Sequence, residues 1–210
     1  MDVIKTKTGW MTMSRARHLS KEELGRLLNT LELKNEVNRD YFIMLLAKTG
    51  LRFSEALAIT PEDFDFKTMK LTVNKTWDYK HGGGFALTKS QPSIRTIEID
   101  WKLGMQMSKL IKNLPPKEPI FVEPGKRVCN STYNDFLARK CKGAGVRPIG
   151  IHALRNTHRF ILLREGATGA NIAMRMGNSN IATIREVYLH DLTELEKKDN
   201  NIIINTMSEL

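Results

Sequence analysis

Leu24, Leu27, Leu28 and Leu31 recur at spacings of three and four, the period of one helical face. Ser20 and Glu23 stand just ahead of them as a capping box, so order is expected to begin there. A second helix is expected over 37–48, closed by a left-handed cap at Gly50, with a short helix from Phe53 ending before Pro61. The period then drops to two in MKLTV (69–73), FALT (85–88) and IRTIEI (94–99). Their β-branched residues, with turn material at 82–84, predict a small antiparallel sheet of three strands. From Trp101 the helical period returns over 101–113, then over 131–142 after the connector LPPKEP. Further helices fit 152–165, 169–176 and 180–190, punctuated by Gly166, Gly169 and Gly177, with Ser179 as the last cap. The pattern predicts an α+β fold, mostly α-helical, with a small antiparallel three-stranded β-sheet inserted early. Residues 1–18 read as a basic, unpatterned lead-in or linker remnant, 19–190 as one domain, and 191–210 as a polar tail with an apolar patch at 202–204.

Composition narrows the class of partner. Of 210 residues, 33 are Lys or Arg against 23 Asp or Glu, a net charge of +10 that favours a polyanion, nucleic acid before membrane. The longest apolar run, FIMLLA (42–47), is too short to span a bilayer, and MDVIKTKTGW has no signal-peptide character. Two cysteines, Cys129 and Cys141, lack metal-like spacing and point to reduced thiols in a cytoplasm. No histidine–carboxylate cluster reads as a metal site, and the GGG run lacks the pattern of a phosphate loop. Neither a metal nor an organic cofactor is therefore expected, and the chemistry must run on ordinary side chains.

In GIHALRNTHRF (150–160), a helix would place His152, Arg155 and Arg159 at i, i+3 and i+7 on one stripe. Such a stripe is too cationic for a core face. Arginine gives phosphate a planar, permanently charged fork. Histidine moves protons near neutral pH, lysine can protonate a leaving alkoxide, and tyrosine can act as a covalent nucleophile. All four groups occur along this chain.

They occur in four segments: TGLRFSEALAITPEDFDF (49–66), LTKSQPSIRTIEI (87–99), HALRNTH (152–158) and MGNSNIATIREVYLH (176–190). In order and spacing these resemble the arginine box, the hairpin-lysine segment, the H-x-x-R box and the tyrosine box of the tyrosine recombinase, or phage integrase, family. The resemblance runs from about His18 to about His190 and implies the tyrosine recombinase catalytic-domain fold. It further implies a site-specific DNA recombinase that cleaves and rejoins strands through a 3′-phosphotyrosyl intermediate, the catalytic part of a longer mobile-element integrase. By position, Arg52 and Arg155 would grip the scissile phosphate and Lys89 would protonate the 5′-oxygen. His152 would handle protons, and Tyr188 would be the nucleophile. Glu55, three residues after Arg52, would hold that arginine. Lys75 and Lys80 are the neighbours from which Lys89 must be told apart. Arg159 lies outside the motif and reads as a DNA-backbone contact or a solvated charge, and His158 as a hydrogen-bonded core histidine.

Two departures stand out. Where the family usually writes G-H, this chain has Gly177 followed by Asn178, which can donate a hydrogen bond but cannot shuttle a proton. A slowed enzyme is expected, and a non-catalytic DNA-binding module of the same fold is the rival reading. A topoisomerase-like relaxer would use the same residues. Ahead of the catalytic pattern there is no room in 1–18 for the family's DNA-clamping domain, which fits a fragment or a minimal member, the fragment being preferred. The expected partner is double-stranded DNA. A homotetramer on DNA follows from the family, with a monomer in isolation and the tail either exchanged with a neighbouring protomer or folded back on its own domain.

Overall fold

The computed structural model describes residues 18–87 and 93–177, the backbone of 3–6 and 9–12, and the single positions 204 and 208. Lys89, Asn178 and Tyr188 lie outside the described residues, as do the helix expected at 180–190 and nearly all of the tail. Within 1–18, where no pattern was legible, strands β1 (Val3–Thr6) and β2 (Gly9–Thr12) pair antiparallel, Val3 opposite Thr12 and Thr6 opposite Gly9.

The first helix, α1 (Lys21–Asn29), starts where the capping box puts it. Glu23 N–H donates to Ser20 Oγ at 3.1 Å, and Ser20 N–H donates to Glu23 Oε2 at 2.8 Å. Helix α2 (Arg39–Thr49) is capped by Asn38 and is buried along almost its whole length. A helix apolar on every side belongs in the centre of a domain, and α2 packs against α3 (Phe53–Leu57), α4 (Trp101–Ile111), α5 (Asn130–Gly143) and α6 (Ile151–Arg164). At its middle, the Phe42 ring meets Phe53, Phe121 and Tyr133 with centroids 5.5, 5.2 and 4.6 Å away.

After a 3-10 turn at Pro61–Asp63 come β3 (Phe64–Asp65) and β4 (Lys70–Val73). The hairpin β5 (Lys75–Trp77) and β6 (Phe85–Leu87) follows, then β7 (Arg95–Glu98). The three-stranded antiparallel sheet is β3-β4-β7, with Leu71 opposite both Phe64 and Ile97. This corrects the expected membership. Phe85–Leu87 of the FALT segment pair with Lys75–Trp77 in a separate two-stranded ribbon, Trp77 opposite Phe85, and the third strand comes instead from the short stretch after Asp63. The physical reason is burial: Leu71, Val73 and Ile97 face the core, whereas all three residues of β6 are exposed.

Helix α7 (Gly169–Met176) is begun by Thr168 and ended by Gly177 in the left-handed conformation. Its apolar face, Ile172, Ala173 and Met176, packs with Phe160, Leu162 and Leu163 of α6 in a cluster separate from the main core. Past the middle of α6, Leu19 is fully buried and its N–H donates to Thr157 Oγ1 at 3.0 Å, while His18 stacks on Phe160. Among the described residues no helix is long and apolar enough to cross a membrane.

Gly50 ends α2 with φ of 69°, and a Cβ there would lie 2.7 Å from Cδ2 of His158. Gly50→Ala therefore meets both a left-handed backbone and a clash with α6. It is expected to cost about 2–4 kcal/mol in urea unfolding, and a loss under about 1 kcal/mol would show that α2 and α6 can part freely.

Candidate active site

The chain reverses twice to build the site. The left-handed turn at Gly50 ends α2 and leaves Arg52 at the start of α3, while the N-terminal half of α6 carries His152 and Arg155. Glu55 lies in the first turn of α3, where its Oε2 accepts the Arg52 backbone N–H at 2.8 Å. The same carboxylate takes Arg52 Nη1 on Oε1 at 2.7 Å, so the expected Arg52–Glu55 pair is present, with Glu55 only 1 % exposed.

A second guanidinium shares that carboxylate. Arg95, on β7, donates from Nη2 to Glu55 Oε2 at 2.9 Å and from Nη1 to Glu55 Oε1 at 3.2 Å. Burial works to raise the Glu55 carboxyl. The hydrogen bonds and charge of Arg95, followed by those of Arg52, override it and hold Glu55 down at about 2.

Three arginines converge on the end of α7, each on a successive carbonyl. Arg95 Nε donates to Arg175 O at 2.7 Å, Arg155 Nη2 to Met176 O at 2.5 Å and Arg52 Nη2 to Gly177 O at 3.2 Å. The last carbonyls of a helix lack intrahelical donors and carry the negative end of its dipole, so cationic donors suit them. Arg155 also bridges to the end of α2, Nη1 donating to Gly50 O at 2.6 Å. Gly177 is required here twice over. Its φ is 62°, and a Cβ would lie 2.6 Å from Arg95 Nη1.

Positive charge is in excess. Burial and the nearby charge of Arg52 push Arg155 down to about 9 in spite of Glu55, with Arg95 and Arg159 adding to the repulsion. Arg155 remains cationic at neutral pH. His152 is exposed at the head of α6, and partial desolvation together with Arg155, Arg159 and Arg52 lowers its pKa from the ordinary value. Its imidazole is thus neutral at pH 7 and able to accept a proton.

The stripe predicted to lie outside the core is only partly so. Arg155 and Arg159 are 4 % and 6 % exposed, so the reading of Arg159 as a solvated charge is corrected to a buried one. The reason is tertiary, because α6 is packed by α2, α5 and α7 together. His158 is the core histidine expected. A carbonyl can only accept, so Nδ1 donates to Ala47 O at 3.0 Å, and Nε2 then accepts from Arg175 Nε at 3.0 Å. Lys75 is held by Asp63 at 2.6 Å and Lys80 is exposed in the hairpin turn. Among the described residues no group of histidine, cysteine or acidic side chains is placed to hold a metal ion. The sequence reading missed Arg95 and Arg175. Arg95 does stand inside a recognised segment, two residues before Ile97 and therefore on the same buried face of β7, and a cation on a core-facing strand position is the signal that could have found it.

A mostly helical domain with a small antiparallel sheet, whose separate arginine segments meet beside a histidine, is the catalytic-domain fold of tyrosine recombinases. The chain belongs to the Phage integrase family, which it matches over residues 17–194. It is 30 % identical to the ICEBs1 integrase of Bacillus subtilis (strain 168) over 157 residues, 68 % of this chain and 42 % of that one. It is also 30 % identical to the tyrosine recombinase XerC of Staphylococcus aureus (strain JH9), covering 86 % of this chain and 62 % of the relative. The chain spans about half the length of the curated relatives it matches. The fold agrees with the Tn1549 transposon integrase solved with circular intermediate DNA, at a TM-score of 0.69 and 20 % identity over 88 % of this chain and 68 % of that one. XerA recombinase gives a TM-score of 0.63 at 19 % identity, over 86 % and 66 % of the two chains.

The buried ionisable groups make stability depend on acid in two windows. Burial, then Arg175, lower His158 from 6.5 to about 4, so the unfolded chain binds the extra proton first as the pH falls. Stability is complete above pH 6.5 and is lost between 6.5 and 4, by about 3 kcal/mol. Glu55, lowered from 4.5 to about 2, adds a similar loss only below pH 4.5. Urea unfolding at pH 7, 5.5 and 4 is expected to show the first window in the wild type and a flattened one in His158→Asn. An equal slope in both proteins would assign the loss to other groups.

Proposed function

We propose that the protein is a DNA strand-exchange enzyme, the catalytic part of a mobile-element integrase that cuts and rejoins DNA through a phosphotyrosyl intermediate. The observation that carries this is the convergence of Arg52 and Arg155 from separate segments, with Arg95 and Arg159 near enough to repel Arg155 and Glu55 the carboxylate shared by Arg52 and Arg95. Cationic forks gathered with that little compensation favour an anion, and a phosphodiester suits their planar geometry.

In this reading Arg52 and Arg155 neutralise the two non-bridging phosphate oxygens as charge builds on them. The Tyr188 hydroxyl attacks phosphorus and passes its proton to His152, whose lowered pKa keeps it ready to accept. The bond from phosphorus to the 5′-oxygen breaks, and Lys89 gives that oxygen its proton. One phosphodiester is exchanged for another, so rejoining needs no outside energy source. Asn178 donates a neutral hydrogen bond where a histidine would carry charge. Support for Tyr188 comes from its alternatives. The sequence has four tyrosines; Tyr41 and Tyr133 are buried, and Tyr79 packs edge-on against Phe53 at 5.1 Å. Support for Lys89 is similar, since Lys75 is committed to Asp63. The partner in this reading is double-stranded DNA, engaged as a homotetramer, with a monomer in isolation. A DNA-binding module without chemistry is the competing reading, resting on Asn178.

Relaxation of a supercoiled plasmid without metal or ATP separates the two. The wild type is expected to relax DNA and leave a covalent adduct on denaturing gels, both abolished in Tyr188→Phe. Relaxation that survives in Tyr188→Phe would put the wrong nucleophile in the scheme, and DNA binding with no relaxation would favour the non-catalytic reading. Arg155→Ala is expected to lower the rate by about 10²–10³. Asn178→His is expected to raise it, and a fall would remove the idea that asparagine is a handicap.

A further inference from the structure

Arg95 is a buried cation with a defined set of partners in three parts of the fold. Its side chain is 7 % exposed. Nη1 and Nη2 grip both oxygens of Glu55, Nη1 also donates to Ser93 O at 3.0 Å, and Nε donates to Arg175 O in the last turn of α7. One rigid fork therefore joins the strand that follows the Lys89 segment, the acid that orients Arg52, and the last turn of α7, three residues before Asn178. A lysine in its place has the charge but not the planar fork.

The chemistry needs these parts in register. A misplacement of about 1 Å at a reacting group can cost on the order of 10² in rate. Helix α7 is held by a small apolar cluster outside the main core, by Arg155 and Arg52 on its last carbonyls and by Arg175 on His158, and Arg95 adds the tie from its last turn to Glu55. Around Glu55 the charged groups are Arg52 on α3, Arg95 on β7 and, by its field, Arg155 on α6. Of these Arg95 does most to keep the buried carboxylate ionised and hence able to hold Arg52.

We propose that Arg95 is a positioning residue for strand cleavage, which holds Glu55 on Arg52 and pins the end of α7 so that the arginines and the segment leading to Tyr188 are set as one unit. The proposal rests on the functional reading above. Without Arg95, the end of α7 loses one of its three arginine donors and its tie to Glu55, and Glu55 takes up a proton at higher pH and releases Arg52. The side chain is buried and spent on Glu55, Ser93 and the end of α7, so in this proposal it acts through them and governs rate more than affinity.

The test uses the full chain, a fluorescent duplex for binding and a supercoiled plasmid for relaxation. Arg95→Lys is expected to bind the duplex within twofold of the wild type yet relax plasmid at least tenfold more slowly, with the deficit growing from pH 8 to pH 5.5. Exchange of the Gly177 amide, which donates to Met174 O at 3.0 Å, is expected to be at least tenfold faster. Arg95→Gln combined with Glu55→Gln removes both buried charges, guards against a failure to fold, and is expected to stay slow but without the added loss at low pH. An unchanged relaxation rate in either variant overturns the proposal. So does an equal fall in affinity and rate, which would make Arg95 a DNA contact, or a rate deficit with unchanged Gly177 exchange. If the wild type forms no adduct that Tyr188→Phe abolishes, the functional reading fails by itself. Gly177 exchange then still decides whether Arg95 holds α7.

Discussion

A carboxylate taken out of water must have its solvation replaced, and at Glu55 two guanidinium groups and one backbone N–H do so. Removing one partner from such a buried set typically costs about 3–5 kcal/mol, because the remaining charge is stranded. The arrangement therefore behaves as one unit. Arg52 cannot turn away from Glu55 without cost, nor can Arg95, and through them the start of α3 is fixed to β7. The same two arginines continue to the end of α7, so that helix end is tied to the same acid.

This division of labour differs from the rest of the molecule. The body of the domain is held by apolar packing around α2, where Phe42, Leu45 and Leu46 are buried with hardly any exposure. Helix α7 is held by a small apolar patch and by directed, charge-assisted hydrogen bonds to its terminal carbonyls. Directed bonds define position more sharply than apolar contact does. They also place positive charge where a phosphate is needed in the proposed chemistry, so the contacts that close the fold and the contacts that serve the site draw on the same side chains.

Local features were readable from the chain because their causes are local. The Ser20–Glu23 box, the left-handed stop at Gly50 and the Arg52–Glu55 pair each depend on residues within a turn of one another. The sheet was read less well. Alternation marked out the stretches that hold Lys70–Val73, Phe85–Leu87 and Arg95–Glu98 as strands, but pairing joins residues distant in sequence, and a two-residue strand such as Phe64–Asp65 carries too short a period to notice. Arg159 was misread for a related reason. A charged stripe on an isolated helix faces water, whereas α6 is enclosed by three other helices.

The sequence by itself determined the helices between Lys21 and Met176, the caps at Ser20 and Gly50 and the segments that bring arginine, histidine, lysine and tyrosine into one chain, since each is written within a few adjacent residues. Only the tertiary structure decided that Arg95 shares Glu55 with Arg52, that Arg175 closes on His158, and that three arginines meet three successive carbonyls of α7. Those contacts span up to 125 residues of chain, and no local preference specifies them. They are selected by the cost of leaving a buried charge or a helix-end carbonyl without a partner once the core has closed.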